Sequence, residues 1–300
     1  MLEMLKNYIN IAKPGIIFGN LVSTAGGFFL AAKGRIDIAV LLATLSGVSL
    51  VVASACVFNN YVDRSLDRKM VRTRDRPLAK GTMSLKAALF YALFLGISGA
   101  ALLWITANLL STAIVLTGFT IYVGVYSLFL KRNSLYGALA GSLAGAAPPL
   151  AGYCAVSNHL DPAAAILLSI FILWQIPHSY SITISWLDDY AAAAIPALPI
   201  KHGITAAKRH VVGYIVAFVA AAPMLTFYGY TGYSYLAVAT GLGLFWLYLA
   251  WSGHKTSDDR LWARKIYVFS ILAIFALSVM MSVDFKAPPK SNLFLSYLFY

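Results

Sequence analysis

The sequence predicts an all-α, polytopic membrane protein, a bundle of nine transmembrane helices forming one domain over residues 1–300. Three observations lead there. Sixty per cent of the residues are hydrophobic and 11% are charged, with a mean hydropathy of +0.76, which is more apolar surface than a water-soluble domain of this length needs. Nine apolar runs are long enough to cross a hydrocarbon core of about 30 Å. The basic residues collect on alternate connections between those runs. Runs of this length close their backbone hydrogen bonds as helices and are too long for barrel strands.

Residues 1–13 place Leu2, Leu5 and Ile9 on one side, so this segment is expected to lie along the membrane interface as a helix. The spans then read as 15–32, 38–58, 87–106, 109–130, 136–156, 162–186, 209–229, 234–253 and 264–283. The first follows a polar lead and lacks a small-x-small cleavage site, so it is a retained helix and not a signal peptide. In the fifth, Gly137, Gly141 and Gly145 recur every four residues before Pro148 and Pro149, a pattern for close helix approach followed by a break. The sixth carries Trp174-Gln175-Ile176-Pro177-His178-Ser179-Tyr180, polar for its depth, with Pro177 expected to kink it. Buried polar groups need partners or a cavity, and Trp174, His178 and Tyr180 are the candidates for lining one. Cys56 and Cys154 fall inside spans without a metal or redox spacing and read as small apolar residues.

With nine spans, 19 of the 23 Lys and Arg residues share the side of the N-terminus. The positive-inside rule puts that side in the cytoplasm and the C-terminus outside, as in a bacterial cytoplasmic (inner) membrane. The net charge of +12 therefore reflects topology and contact with anionic membrane lipid, and nucleic acid is excluded as a partner.

The chemistry sits in the two longest connections, 59–86 and 187–208, both on the basic side. Asn59, Asp63 and Asp67 follow one another at a four-residue spacing as the second span ends. On a helix they form one oxygen-rich stripe about 12 Å long. Carboxylates there are costly unless something positive meets them. Such ligands suit Mg²⁺, which takes one or two carboxylates and shares its remaining positions with water and phosphate. The stripe thus points to a diphosphate substrate, with Asn59, Asp63 and Asp67 as catalytic residues and Asp63 and Asp67 as metal ligands. Arg68, Arg72, Arg76 and Lys80 follow and are the expected diphosphate contacts. At the end of the sixth span Asp188 and Asp189 are expected to face the stripe and complete the metal site, with Pro196 and Pro199 holding the next segment in a non-helical path.

These segments together resemble the UbiA-type intramembrane prenyltransferases, and among them the haem O synthases, over nearly the full chain. The resemblance is carried by Lys13-Pro14-Gly15-Ile16, Asn59-x3-Asp63-x3-Asp67-Arg68-Lys69-Met70-x-Arg72-Thr73, Gly145-Ala146-Ala147-Pro148-Pro149-Leu150-x-Gly152, Trp174-Gln175-Ile176-Pro177-His178, and Asp189-Tyr190 with Ile195-Pro196-x-Leu198-Pro199. It implies a lipid-accessible chamber, Mg²⁺ as cofactor, farnesyl diphosphate as donor and haem b as acceptor, alkylated at a vinyl group with addition of water. It also implies that Trp174, His178 and Tyr180 lie on the haem side, and that a terminal oxidase or haem-delivery protein is a candidate partner. Where relatives of other specificity carry a second Asp-x3-Asp, this chain has Ala192 and Ala193 after Asp188-Asp189. Tyr61, Tyr126, Tyr153 and Tyr180 are candidate ring faces for a carbocation. The rival readings are a prenyltransferase for a quinone-precursor ring, a non-enzymatic haem-handling or oxidase-assembly protein with His178 as an axial ligand, and a transporter.

Overall fold

The structure is a computed structural model, and it describes residues 2–286. Among the described residues a short helix, α1 (Leu2–Ala12), precedes nine helices long and apolar enough to cross a membrane. These are α2 (Pro14–Ala32), α3 (Ile38–Asp67), α4 (Leu85–Thr106), α5 (Leu109–Asn133), α6 (Gly137–Ser157), α7 (Pro162–Ser185), α8 (Gly203–Phe227), α9 (Tyr233–Lys255) and α10 (Asp259–Val283). The chain is a multi-pass membrane protein. The C-terminus, expected on the outer side, lies outside the described residues.

Several helix starts are written into the sequence. Asp37, Asp161 and Asp258 each accept a hydrogen bond from a backbone N–H in the first turn of α3, α7 and α10, satisfying a donor that the helix leaves open. Where the apolar runs understate a helix, polar residues continue it. α8 begins at Gly203 and α10 at Asp259, because turns bearing Lys208, Arg209, Arg260 and Arg264 stay helical outside the apolar stretch. α3 is the longest helix, and its 30 residues span about 45 Å, well over the apolar thickness. Its last turns therefore carry the acidic stripe onto the basic face. Pro177 does not interrupt α7.

The helices close into a ring in which each packs on the next from α5 to α10, α10 returns to α2, and α2 packs on α3; α4 lies against the outside of α3. Glycine permits the tightest joint. A Cβ at Gly27 would strike the carbonyl of Pro149, and one at Gly152 the carbonyl of Thr24, so α2 and α6 touch backbone to backbone. α6 breaks and restarts at Ala146–Ala147, beside Pro148. The largest core, with Tyr153, Phe171, Phe218, Tyr235 and Trp246 fully packed, joins α6 through α10. α1 rests on α3 through buried Ile11 and Ala12, and leaves Met4, Leu5 and Ile9 exposed as an interfacial helix would.

Candidate active site

Asn59, Asp63 and Asp67 stand one turn apart at the end of α3 and are buried, with Asp63 wholly inaccessible. Buried carboxylates persist only with positive partners, and both have them. Asp63 is ion-paired with Lys131 and with Arg132, whose Nη2 lies 3.3 Å from Oδ1, and it accepts a hydrogen bond of 2.7 Å from Asn59 Nδ2. Asp67 accepts from Arg76 Nη1, which is 3.0 Å from each carboxylate oxygen. Asn59 ties the cluster together: its Nδ2 also donates to Ser127 Oγ at 3.0 Å, and its Oδ1 accepts from Lys13 Nζ at 2.7 Å.

Of these cations, Lys131 and Arg132 enter the sequence reading only through the positive-inside bias, and Lys13 only through that bias and the Lys13-Pro14-Gly15-Ile16 stretch. Their place depends on local backbone features. Ile121–Leu130 in α5 winds as a π-helix, in which Ser127 Oγ donates to Tyr122 O at 2.8 Å. Such stretches are rare and recur at functional sites. The altered register sets Ser127 and Lys131 against the α3 stripe, where ordinary helical periodicity does not predict them. Lys13 sits at the joint of α1 and α2 with φ 56°, a left-handed conformation that costs a non-glycine residue about 1–2 kcal/mol. Burial lowers its ammonium pKa to about 8.

The second connection meets the first, but differently from the expectation. Asp189 is buried, and its two oxygens accept from the backbone N–H groups of Val71 (2.8 Å) and Arg72 (3.2 Å). Met70 is tucked between Ala193 and Ile195, so the two connections dock. Asp188 is not at the site: its side chain is 78% exposed and pairs with Arg260 at 2.7 Å. Adjacent residues on a helical turn point about 100° apart, so Asp188 and Asp189 cannot both face the stripe. Pro196 lies in non-helical chain as expected, whereas Pro199 is the second residue of a helical turn, Leu198–Lys201, where a missing N–H is harmless.

Of the four expected phosphate contacts, Arg76 is on Asp67 and Arg72 faces the cavity, its guanidinium 5.4 Å from the Trp186 ring. The other two are turned elsewhere. Arg68 donates to Ala79 O at 2.8 Å, which holds the helical turn Pro77–Lys80 in place. Lys80 is 60% exposed and 4.0 Å from Asp75 at the surface.

The site adjoins a cavity of about 880 Å³, near the upper end for small-molecule pockets. Lys13, Arg72, Lys131, Tyr126 and Tyr190 line its basic part. Trp174, Gln175, His178 and Tyr180 line it from α7, as expected, with Tyr267 and Ile274 of α10. Trp174 Nε1 donates to Ser270 O at 2.8 Å, and the Trp174 and His178 rings stack 4.9 Å apart. A Cβ at Gly145 would strike the Gln175 amide, so this glycine makes room for a polar wall. Tyr122, not anticipated, lines the cavity and stacks on Tyr126. Tyr153 is at the opposite end of α6, bonded to Asp161, and Tyr61 packs under Arg64.

Among the described residues no three His, Cys, Asp or Glu side chains converge on a point. Two carboxylates and the Asn59 oxygen are nonetheless a set that suits Mg²⁺ completed by water and a phosphate ligand. Anionic ligands, surrounding cations and an adjoining aromatic cavity can together hold a diphosphate head and an apolar tail.

The profile of the UbiA prenyltransferase family matches residues 20–278. The chain belongs to the UbiA prenyltransferase family. This prenyltransferase is 59% identical over 293 residues to protoheme IX farnesyltransferase 2 of Pseudomonas fluorescens Pf-5, covering 98% of this chain and 99% of that one. It is 58% identical over 296 residues to protoheme IX farnesyltransferase of Sodalis glossinidius, with the same coverage. Its fold is similar to that of a solved digeranylgeranylglyceryl phosphate synthase, with TM-score 0.76 at 20% identity over 93% of this chain and 99% of that one. It is also similar to a UbiA homolog from Archaeoglobus fulgidus solved with GPP and Mg²⁺, with TM-score 0.72 at 16% identity over 92% and 99%. The chain is therefore an enzyme, and the two non-catalytic readings fall away.

Proposed function

We propose that this prenyltransferase transfers the farnesyl group of farnesyl diphosphate to a vinyl group of haem b, with addition of water, giving haem O. The observation that carries the reading is the convergence of Lys13, Lys131, Arg132 and Arg76 on the Asn59–Asp63–Asp67 stripe beside a large aromatic-lined cavity. The names of the relatives supply the donor and the acceptor.

Asp63 and Asp67 would hold Mg²⁺, with Asn59 beside them, and the ion when bound supplies charge neutralisation to the diphosphate. Lys13, Lys131, Arg72 and Arg76 orient the diphosphate and stabilise the charge that grows on it as the allylic C–O bond breaks. Asp189 acts through the backbone, fixing the 68–76 segment so that Arg72 and Arg76 are in place before substrate arrives. The apolar and aromatic cavity excludes water while the farnesyl cation meets the electron-rich vinyl carbon, and Tyr122, Tyr126 and Tyr180 offer it ring faces. Water then captures the resulting porphyrin-side cation. No protein nucleophile takes part.

The proposal places the enzyme in the bacterial inner membrane with the N-terminus and diphosphate site cytoplasmic, and its product passes to a haem-delivery protein or terminal oxidase. Incubating membranes containing the protein with haem b, farnesyl diphosphate and Mg²⁺, and weighing the porphyrin product, tests donor, acceptor and hydration together. A porphyrin heavier by one farnesyl group and one hydroxyl supports it. An unchanged porphyrin alongside prenylated 4-hydroxybenzoate, offered in a parallel incubation, overturns it.

A further inference from the structure

His178 is held by its neighbours in one tautomer, and that leaves one ring nitrogen uncommitted. Ser270 Oγ donates its only proton to the carbonyl of Tyr267 at 2.6 Å, so at 2.7 Å from His178 Nδ1 it must be the acceptor. The imidazole is thus the Nδ1–H form, with a lone pair on Nε2. Among the described residues none hydrogen-bonds Nε2. The ring is fixed from two sides, by Trp174 stacked at 4.9 Å and Tyr267 at 5.1 Å, and Trp174 is itself anchored to the Ser270 carbonyl.

A histidine with a purely structural role in a membrane interior would be expected to use both nitrogens. One N–H donated to a fixed acceptor, with the second nitrogen left open, is instead the pattern of a metal-binding imidazole. Among the described residues His178 is the one histidine lining the cavity. Accepting the reading above, in which the acceptor is an iron porphyrin, we propose that His178 Nε2 is an axial ligand to its iron and that Ser270 is the positioning residue that sets the tautomer. A bond at the iron holds the macrocycle by its centre. Its rim, where the vinyl groups lie, is left free to react.

The test uses the full-length protein in lipid nanodiscs without farnesyl diphosphate, titrated separately with haem b and with metal-free protoporphyrin IX. The expected wild-type complex shows the absorption and resonance Raman signature of histidine-ligated iron. His178→Ala is expected to lose that signature and to bind haem b at least about tenfold more weakly, while binding protoporphyrin IX as the wild type does. Added imidazole restores the signature in the variant. Ser270→Ala keeps the ligated spectrum with affinity reduced roughly tenfold or more, as for other outer partners of a ligating histidine. A wild-type haem spectrum in His178→Ala overturns the assignment, and so does an equal loss of affinity for both porphyrins, which marks simple packing. Product formation by the wild type, measured by mass, separates the two claims: product together with an unchanged His178→Ala spectrum removes the ligand and leaves the reaction standing.

Discussion

Neutralising Asp63 probes the electrostatics of the site most sharply, because this side chain is fully buried and faces two cations and one amide. Asp63→Asn keeps the shape and removes the charge, leaving Lys131 and Arg132 buried against a neutral group. Breaking a buried ion pair from one side costs about 3–5 kcal/mol. The lower end is expected, since an amide oxygen still accepts hydrogen bonds and the two cations are 16% and 28% exposed. Loss of one preorganised charge at a developing diphosphate should cut turnover by about 10²–10³-fold. The two effects separate in a cycle with Lys131→Met. The double variant regains part of the thermal stability in detergent because one of the two unmatched cations is gone and only Arg132 remains, while turnover stays low. The assay pairs a melting curve with product formation from haem b and farnesyl diphosphate across a Mg²⁺ titration. Near-normal turnover by Asp63→Asn at limiting Mg²⁺ would refute the metal assignment, and a double variant no more stable than the single would refute the ion-pair reasoning.

Other consequences follow from individual residues. Lys13 has its pKa lowered to about 8 by burial, so the folded protein binds fewer protons than the unfolded chain from about pH 8 to the ordinary lysine value, and stability rises with pH over that window. Donor binding should move the other way, weakening above about pH 8 as the cation is lost, and Lys13→Arg should abolish that fall in a KM-versus-pH profile. Asp188→Asn should leave turnover within about twofold, since an exposed ion pair contributes about 1 kcal/mol or less, whereas Asp189→Asn weakens two charge-assisted backbone contacts worth about 1.5–3 kcal/mol each and should raise KM for the diphosphate. Gly27→Ala meets the immovable Pro149 carbonyl and should cost about 1–3 kcal/mol by thermal melting, while Gly145→Ala displaces only the end of Gln175 and should change substrate affinity more than stability.

The nine spans were legible because bilayer length and apolarity leave one solution, whereas the caps at Asp37, Asp161 and Asp258 emerged only with the structure. Helix ends were less so, as at α8 and α10, where charged turns remain helical beyond the apolar run. Asn59, Asp63 and Asp67 were legible from their spacing and their place at the end of a span. Lys131 and Arg132 were not: a π-helical stretch re-registers α5, and the topological bias already accounted for any lysine there. The role of Lys13 depends on a left-handed joint that its residue type does not favour. Asp188 and Asp189 look equivalent in a sequence, and only the direction of a short helical turn sends one inward and the other to Arg260.

Calorimetric binding of a non-ionising farnesyl thiodiphosphate, with and without Mg²⁺, bears most directly on the role of the acidic stripe. The wild type is expected to bind it more tightly as Mg²⁺ is added, and Asp63→Asn/Asp67→Asn to bind it with no Mg²⁺ dependence. The same Mg²⁺ enhancement in the double variant would contradict the assignment of these two carboxylates as the seat of the ion.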